Sequence, residues 1–200
     1  MQIHQRINAR KLVLSYLYHY CFFVKLASSL EVVQEHSDTF SSQGGNDPFF
    51  DQNFLADLQK LRKADAEEKK KADRTIASAL TEAAEDEMPY YLKHFFDQRT
   101  EADIDVDYVF KIWAAFPNYC DEVEKAVNTY TESFSYQQMD IMDQAIFLLG
   151  YTEWKILQTP KEILINEMIE LAKRYSDEGA PKLINGIMDN ITNPARNAKK

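Results

Sequence analysis

The spacing of apolar residues across the last third of this sequence constrains its fold most strongly. From residue 139 to residue 192 they recur at steps of three and four, as on one face of an α-helix. One such face in the segment MDIMDQAIFLLGYTEW consists of Met142, Ala145, Ile146 and Leu149. No stretch shows the alternation of apolar and polar residues that a half-buried strand requires. The spacing therefore predicts an all-α fold.

Capping residues divide this part of the chain into separate helices. Ser135 and Gln138 match a capping box ahead of the segment just quoted. Thr159 and Glu162 match a second capping box, with Pro160 at the first helical position. A new helix is therefore predicted to start after Thr159.

Upstream, Pro117 and Asn118 separate two predicted helices, at 105–116 and 119–133. The acidic run DIDVD at 103–107 lacks the glycine and terminal glutamate of a calcium loop. We therefore expect it to cap a helix N-terminus, where carboxylates are favourable.

The N-terminal segment LVLSYLYHYCFFVKLA predicts one long amphipathic helix with Arg6 and Arg10 in its first turns. Its apolar face consists of Leu12, Tyr16, Tyr20, Phe23 and Ala27. Cations before an apolar run imitate a signal peptide, but the tyrosines, a histidine and the missing cleavage site argue against one. No apolar run is long enough to span a bilayer. With only Cys21 and Cys120 in the chain, neither a disulfide framework nor a four-thiolate metal site is possible, and we expect a cytoplasmic protein.

The middle of the chain carries breakers and charge. SSQGGNDP at 41–48 predicts a loop, residues 49–87 a polar helical segment, and residues 89–98 a short helix. Two hundred residues suffice for one core or two small subdomains. We therefore treat residues 1–200 as one domain, with a helical subdomain over about 1–100 and a helical bundle over 101–200.

Charge is distributed in blocks although the formal net charge is −9. Residues 1–30 contain cations and no carboxylate, residues 101–143 are strongly acidic, and residues 173–200 are again basic. Such a layout could offer one face to an anion such as RNA and another to a basic protein, or it could be a solvated surface only. In the acidic part, Tyr119, Asp121 and Glu122 combine an aromatic residue with negative charge, which suits a basic protein partner, although core packing explains most aromatic residues of this region equally well.

The sequence contains no recognisable catalytic pattern. The four histidines are widely spaced, and the five glycines form neither a phosphate loop nor a dinucleotide fingerprint. His19, on an apolar helix, is more typical of a core residue than of a ligand or base. We therefore expect a protein that is not an enzyme and has neither cofactor nor metal.

Two short asparagine-containing motifs, INE and INGI, occur in the predicted last helices. Asn166 and Asn185 each follow an apolar residue, so both amides are predicted to be buried and hydrogen-bonded. Gly186 inside a helix predicts that another backbone packs closely against it.

These motifs are part of a resemblance to a known family. INEMIELAKRYSDEGAPKLINGIMDNI, with MDIMDQAIFLLGYTEW before it and INARKLVLSYLYHY at the start, resembles the NusB family of bacterial transcription antitermination factors. The resemblance implies two small helical bundles packed together, without enzymatic activity. It also implies binding to boxA-like single-stranded RNA of ribosomal RNA operons, with the small-subunit ribosomal protein NusE, in the transcription elongation complex. The region at residues 35–100 is longer than the corresponding region of typical family members.

Family RNA contacts come from the N-terminal basic helix and the start of the last helix. Carried over by resemblance, they fall on Arg6 and Arg10, with Lys11 adjacent, and on Lys182. In this chain Ile7 and Asn8 stand where further cations would be expected, and Leu183 where an aromatic residue is common. These departures leave an alternative open, a NusB-like interaction module that binds the ribosomal-protein partner with weak or no RNA binding.

Overall fold

A computed structural model describes residues 3–34, 103–131 and 133–193. Within these ranges the chain forms six α-helices and no strand, so the predicted all-α fold is confirmed. In chain order they are α1 (Ile3–Gln34), α2 (Val106–Ala115), α3 (Cys120–Asn128), α4 (Ile141–Leu157), α5 (Lys161–Tyr175) and α6 (Ala180–Thr192). Two 3-10 turns, Phe116–Asn118 and Tyr136–Gln138, flank α3. None of the helices in these ranges has both the length and the apolar character needed to cross a membrane.

Several predictions fall outside the described residues. They are the loop at 41–48, the helical segments at 49–87 and 89–98, and the side chains of Phe23 and Ala27. The proposed subdomain boundary near residue 100 also lies there, so it stays a prediction.

Helix α4 forms the centre of the described structure. Every residue from Asp143 to Glu153 is buried. A helix that is buried on all sides must be surrounded by other elements, and α1, α2, α5 and α6 all pack against it.

Helix α1 packs its apolar stripe against α4 and α2. The buried residues of this stripe are Ala9, Leu12, Val13, Leu14, Tyr16, Leu17, Tyr20 and Cys21. They belong to the same hydrophobic cluster as the cores of α2 to α6. The N-terminal helix is therefore part of the same packed core as the C-terminal helices.

Two of the predicted caps are confirmed. The Asp105 carboxylate accepts a hydrogen bond from the Tyr108 backbone N–H at 3.1 Å and caps α2, as expected for the acidic run. Ser135 and Gln138 form a capping box, although it opens the second 3-10 turn. Helix α4 begins later and has Asp140 as its own N-cap, so the chain contains one more turn than the pattern predicted.

The capping box at residues 159–162 is wrong. Pro160 is the N-cap of α5 and makes no side-chain cap. The Thr159 hydroxyl donates instead to Glu153 Oε1 at 2.9 Å. The chain leaves α4 through Gln158, whose φ is 50°, and the tight reversal there leaves Thr159 bonded to α4.

Helix α3 is shorter than the predicted segment 119–133. It ends at Asn128, whose side-chain oxygen accepts a hydrogen bond from the Tyr136 backbone N–H at 2.6 Å. Asn128 is thereby committed to the loop that follows, which explains the early end of the helix.

The predictions for the INE and INGI motifs, two buried asparagines and a closely packed Gly186, are also wrong. Asn166 and Asn185 are both exposed, because the buried positions of α5 and α6 recur at steps of three and four that pass them by. A Cβ on Gly186 would meet no described atom within 4 Å. The closely packed helix glycine is Gly150, whose Cβ would lie 2.9 Å from Met188 Cε and 3.0 Å from Met168 Cγ.

Candidate functional site

The first candidate RNA residue, Arg10, lies in a buried ion pair. Its guanidinium donates to both carboxylate oxygens of Glu153, through Nε at 2.9 Å and Nη2 at 2.8 Å. Nη1 donates to Glu167 Oε2 at 2.9 Å. The Arg10 side chain is 6% exposed and that of Glu153 is fully buried. Arg10 therefore joins α1 to both α4 and α5.

Glu153 is the centre of this network. The Tyr108 hydroxyl donates to Glu153 Oε2 at 2.7 Å, and Thr159 donates to Oε1. Burial alone would raise the pKa of Glu153, but the hydrogen bonds from Arg10 and Tyr108 outweigh it and lower the pKa. Burial would likewise lower the pKa of Arg10, yet its bonds to Glu153 raise it. The pair is therefore fully charged inside the core.

Arg6 is also engaged, but less deeply. Its Nη2 and Nε both lie 2.9 Å from Asp105 Oδ2, and its Cζ lies 4.4 Å from the centre of the Tyr108 ring. The side chain is 19% exposed. Of the two N-terminal arginines, Arg6 is therefore the more exposed, at 19% against 6% for Arg10.

The sequence contains a signal for the burial of Arg10 that motif comparison overlooks. Val13, Leu14 and Leu17 follow it at steps of three, four and seven, so Arg10 lies on the apolar stripe of α1. A cation at such a position requires a buried partner. Its partners could not be found in the same way, because Glu153 is separated from Arg10 by 143 residue positions and Glu167 by 157.

The third cation of α1, Lys11, is half-buried and lines a cavity between α1, α4 and α5. The cavity has a volume of about 290 Å³ and includes Tyr18, His19 and Tyr175 in its wall. His19, expected in the core, is therefore a half-buried wall residue. Burial lowers its pKa below the ordinary value, which favours the neutral imidazole.

The last predicted RNA residue, Lys182, is exposed in the first turn of α6. The turn before it is fixed by Asp177, whose Oδ1 accepts hydrogen bonds from the backbone N–H groups of Gly179 and Ala180, both at 2.8 Å. This short turn connects α6 to Tyr175, the last residue of α5. Leu183 packs partly buried against the core. The wall of the cavity and the start of α6 are therefore joined at one corner.

The predicted protein-partner residues lie at the start of α3. Tyr119 is half-buried and packs edge-to-face on Tyr151, with ring centres 6.1 Å apart. Asp121 and Glu122 occupy the first turn of the helix. Glu122 accepts a hydrogen bond from the Tyr151 hydroxyl at 3.1 Å and lies 3.2 Å from Lys155 Nζ. The surface is thus mixed in charge, because a lysine from α4 is paired with its most exposed carboxylate.

Lys155 completes a small aromatic cluster at this surface. Its Nζ lies 5.1 Å from the centre of the Tyr151 ring and 5.3 Å from that of Trp154. Burial alone would lower the pKa of Lys155, but the contacts with Tyr151 and Glu122 outweigh it and raise the pKa. Sequence reasoning missed Tyr151, Trp154 and Lys155, because the cluster forms only when α3 packs across α4. In the described ranges, no group of three or more histidines, cysteines and carboxylates is placed to hold a metal ion.

The chain is similar to known proteins of one family. A family model described as the NusB family matches residues 39–193, which is more than half of the chain. A protein named transcription antitermination protein NusB from Picosynechococcus sp. is 32% identical over 76 residues, which cover 38% of this chain and 36% of that relative. The match thus spans about a third of the relative's length. A solved structure of NusB from T. maritima aligns with 98% of this chain and 97% of its own, at 17% identity and a TM-score of 0.49.

Proposed function

The chain belongs to the NusB family, and from that membership we propose that it is a cytoplasmic transcription antitermination factor. It binds boxA-like single-stranded RNA together with the small-subunit ribosomal protein NusE, and acts in the transcription elongation complex by binding rather than by catalysis. The family match over residues 39–193 is the observation that carries this proposal. The name of the Picosynechococcus relative supports it.

The phosphate contacts of this RNA surface come from Lys11, Lys182 and the part-exposed Arg6. Lys11 lines the cavity at the corner that leads to α6, and Lys182 is exposed one turn into that helix. Arg10 is left out, because its guanidinium already donates to two carboxylates in a buried site. Its role in this proposal is to hold α1, and with it Lys11, against α4 and α5.

The RNA surface is tested by the salt dependence of binding. Three phosphate contacts on a single strand predict a slope of log affinity against log salt of about −2, and Lys182→Ala should reduce its magnitude by about 0.7. Fluorescence anisotropy of a labelled boxA-like RNA gives the slope for the unmodified protein and for Lys182→Ala, each measured with and without NusE. Lys125→Ala is the control, since Lys125 is exposed in the last turn of α3. A slope near zero for the unmodified protein would contradict the surface.

The partner surface is formed by Tyr119, Asp121 and Glu122 together with the aromatic cluster of Tyr151 and Trp154. Tyr119 and Trp154 are half-buried and Tyr151 is buried, and aromatic residues within a polar rim are enriched in protein interfaces. Asp121→Lys combined with Glu122→Lys should weaken NusE binding, because like charges would face a basic protein. Calorimetric titration with NusE at low salt measures this, and an unchanged affinity would remove these residues from the interface.

One observation favours the alternative of an interaction module with little RNA binding. Arg6 and Arg10, two of the four cations expected to contact RNA, are engaged by carboxylates of the chain itself. If the protein binds NusE but binds no RNA even in the presence of NusE, this alternative is the correct function.

A further inference from the structure

Lys155 occupies a site whose three walls all attract a cation. Its Nζ lies 5.1 Å from the centre of the Tyr151 ring and 5.3 Å from that of Trp154. Both distances fall within about 6 Å, the range in which a cation is attracted to an aromatic face. Glu122 Oε2 lies 3.2 Å from the same nitrogen. Two rings and one carboxylate therefore share a single positive charge.

The walls of this site are held by other contacts of the fold. Tyr151 is buried, and its hydroxyl donates to Glu122 Oε2 at 3.1 Å. The Tyr151 ring packs edge-to-face on Tyr119 and on Trp154, with ring centres 6.1 and 5.8 Å away. Trp154 is half-buried against the hydrophobic core. These contacts do not involve Lys155, so the rings and the carboxylate keep their places without it.

The lysine that fills the site is exposed to solvent. The side chain of Lys155 is 33% exposed and that of Glu122 is 50% exposed, and Lys155 lies in the last turn of α4. Exposed ion pairs contribute little to stability, because water weakens the attraction and two long side chains lose conformational freedom. Lys155 can therefore leave the site at little cost.

A guanidinium group fits these walls better than the ammonium group of Lys155. It is planar and weakly hydrated, so it stacks on aromatic rings, and it can donate two parallel hydrogen bonds to a carboxylate. An ammonium group is a compact, strongly hydrated point charge. Asp121 and Glu122 place negative charge in the first turn of α3, which favours a cationic guest. An arginine of a protein partner therefore matches the site in both shape and charge.

We propose that Lys155 is an internal substitute for an arginine of NusE, which displaces it and takes its position between Tyr151, Trp154 and Glu122. This role of Lys155 rests on the proposed binding of NusE and specifies the chemistry of one contact. Because Lys155 competes with the partner for the site, its removal should strengthen binding. Loss of an aromatic wall should weaken binding.

The first experiment compares Lys155→Met with Lys111→Met. Lys111 forms an exposed pair with Asp107 on α2, so Lys111→Met removes the same charge and releases a carboxylate on a different helix. Calorimetric titration of the full chain with NusE measures the affinity at about 0.15 M salt, where the attraction between distant exposed charges is screened. Lys155→Met should tighten binding by roughly 1.5- to 5-fold, the equivalent of one exposed ion pair. Lys111→Met should leave the affinity unchanged.

A second experiment tests the aromatic wall. Trp154→Leu should weaken NusE binding by roughly 2- to 30-fold, and Trp154→Phe should weaken it less, because phenylalanine keeps a ring that attracts a cation. In the Trp154→Leu background, Lys155→Met should have a smaller effect, since both changes act on the same contact. Circular dichroism verifies that each variant is folded. If Trp154→Leu does not fold, the comparison of Lys155→Met with Lys111→Met decides the question.

The possible results separate this role of Lys155 from the proposed function. If Lys155→Met weakens NusE binding or leaves it unchanged, the displacement is refuted and the binding of NusE stays in place. Equal strengthening by Lys155→Met and Lys111→Met would also overturn the displacement, because the effect would then come from the total charge rather than from this site. No binding of NusE by the folded, unmodified protein would refute both.

Discussion

The carboxylate of Glu153 accepts four hydrogen bonds, two from Arg10 and one each from Tyr108 and Thr159. A carboxylate has about four acceptor positions, so this group is saturated. Burying a charge is costly unless it is paired and hydrogen-bonded. Stability at this site therefore depends on the complete set of donors.

We expect Arg10→Met to destabilise the protein by about 3–5 kcal/mol, because it leaves the Glu153 carboxylate buried without its cation. Urea unfolding measures the loss. Lys111→Met provides the comparison, since Lys111 and Asp107 form an exposed pair one helical turn apart, and its loss should cost less than about 1 kcal/mol. Equal effects of the two changes would mean that the buried network contributes no more than a surface pair.

A second buried carboxylate, that of Asp143, should make stability depend on pH. Burial raises its pKa, neighbouring Asp140 and Asp177 raise it further, and the hydrogen bond from Ser176 Oγ at 2.5 Å only partly opposes them. A raised pKa in the folded state means that folding favours the protonated acid. The contribution of Asp143 is therefore best below its unfolded pKa of about 3.9 and is lost as the pH rises through the folded value.

The corresponding prediction concerns Asp143→Asn. Asparagine stays neutral and can still accept the bond from Ser176. The free energy of unfolding of the variant, relative to the unmodified protein, should therefore increase between about pH 3 and pH 7. Urea titrations of both proteins at several pH values test this, and a difference that is independent of pH would contradict it.

At the scale of residues, sequence reasoning succeeded where the signal was local. Asp105 as a cap follows from the acidic run itself. The roles of Arg10 and Glu153 depend on contacts across the whole chain, which no local pattern contains. The exposure of Asn166 and Asn185 could have been predicted by counting the helical phase instead of noting an apolar neighbour.

At the scale of helices, two glycines in helix interiors have opposite surroundings. Gly150 in α4 is covered by Met168 and Met188, whereas Gly186 in α6 faces open space among the described atoms. Neither has a positive φ, so alanine is compatible with both backbones. Only the space around each residue distinguishes them.

We expect the two alanine substitutions to change stability in opposite directions. Gly186→Ala should stabilise by about 0.5–1 kcal/mol, the usual advantage of alanine in a helix. Gly150→Ala should destabilise, because overpacking a core costs about 1–3 kcal/mol and exceeds that advantage. Thermal and urea unfolding measure both, and a stabilised Gly150→Ala would show that the methionines move aside without cost.

The existence and approximate position of all six described α-helices could be predicted, because apolar residues recur along the sequence at steps of three and four. Boundaries were less accurate where a side chain had a tertiary partner. Thr159 was expected to cap α5, but its hydroxyl bonds to Glu153 of the preceding helix. The pattern correctly indicated that a helix begins near residue 160, but the capping box itself was wrong, because a local pattern contains no information about a competing acceptor on another helix.

At the scale of the whole molecule, the described helices share one hydrophobic core. The chain has only two tryptophans, and both report on this core. Trp113 packs edge-to-face on Tyr16 of α1 with ring centres 4.5 Å apart, and Trp154 lies in α4. The predicted subdomain boundary near residue 100 can therefore be tested by tryptophan fluorescence.

Each of the variants Trp113→Phe and Trp154→Phe reports unfolding through the single tryptophan that remains. If α1 and the C-terminal helices unfold as one unit, the two variants should show the same urea midpoint by fluorescence, once the effect of each substitution on stability is subtracted. Leu17→Ala, at a fully buried position of α1, should lower both midpoints, with a loss of about 2–5 kcal/mol. A shift seen by Trp113 alone would mean that the chain unfolds as two units.

The pairing of Arg10 with Glu153 also has a consequence for synthesis. Because 143 residue positions separate the two, the arginine emerges long before its carboxylate. At about 5–20 residues per second the delay is roughly 7–30 s. During that interval the apolar stripe of α1 has neither its ion partner nor the central helix to cover it. We therefore expect the apolar stripe of the nascent N-terminal helix to stay uncovered until α4 is made, and such transiently exposed hydrophobic surface is prone to aggregate.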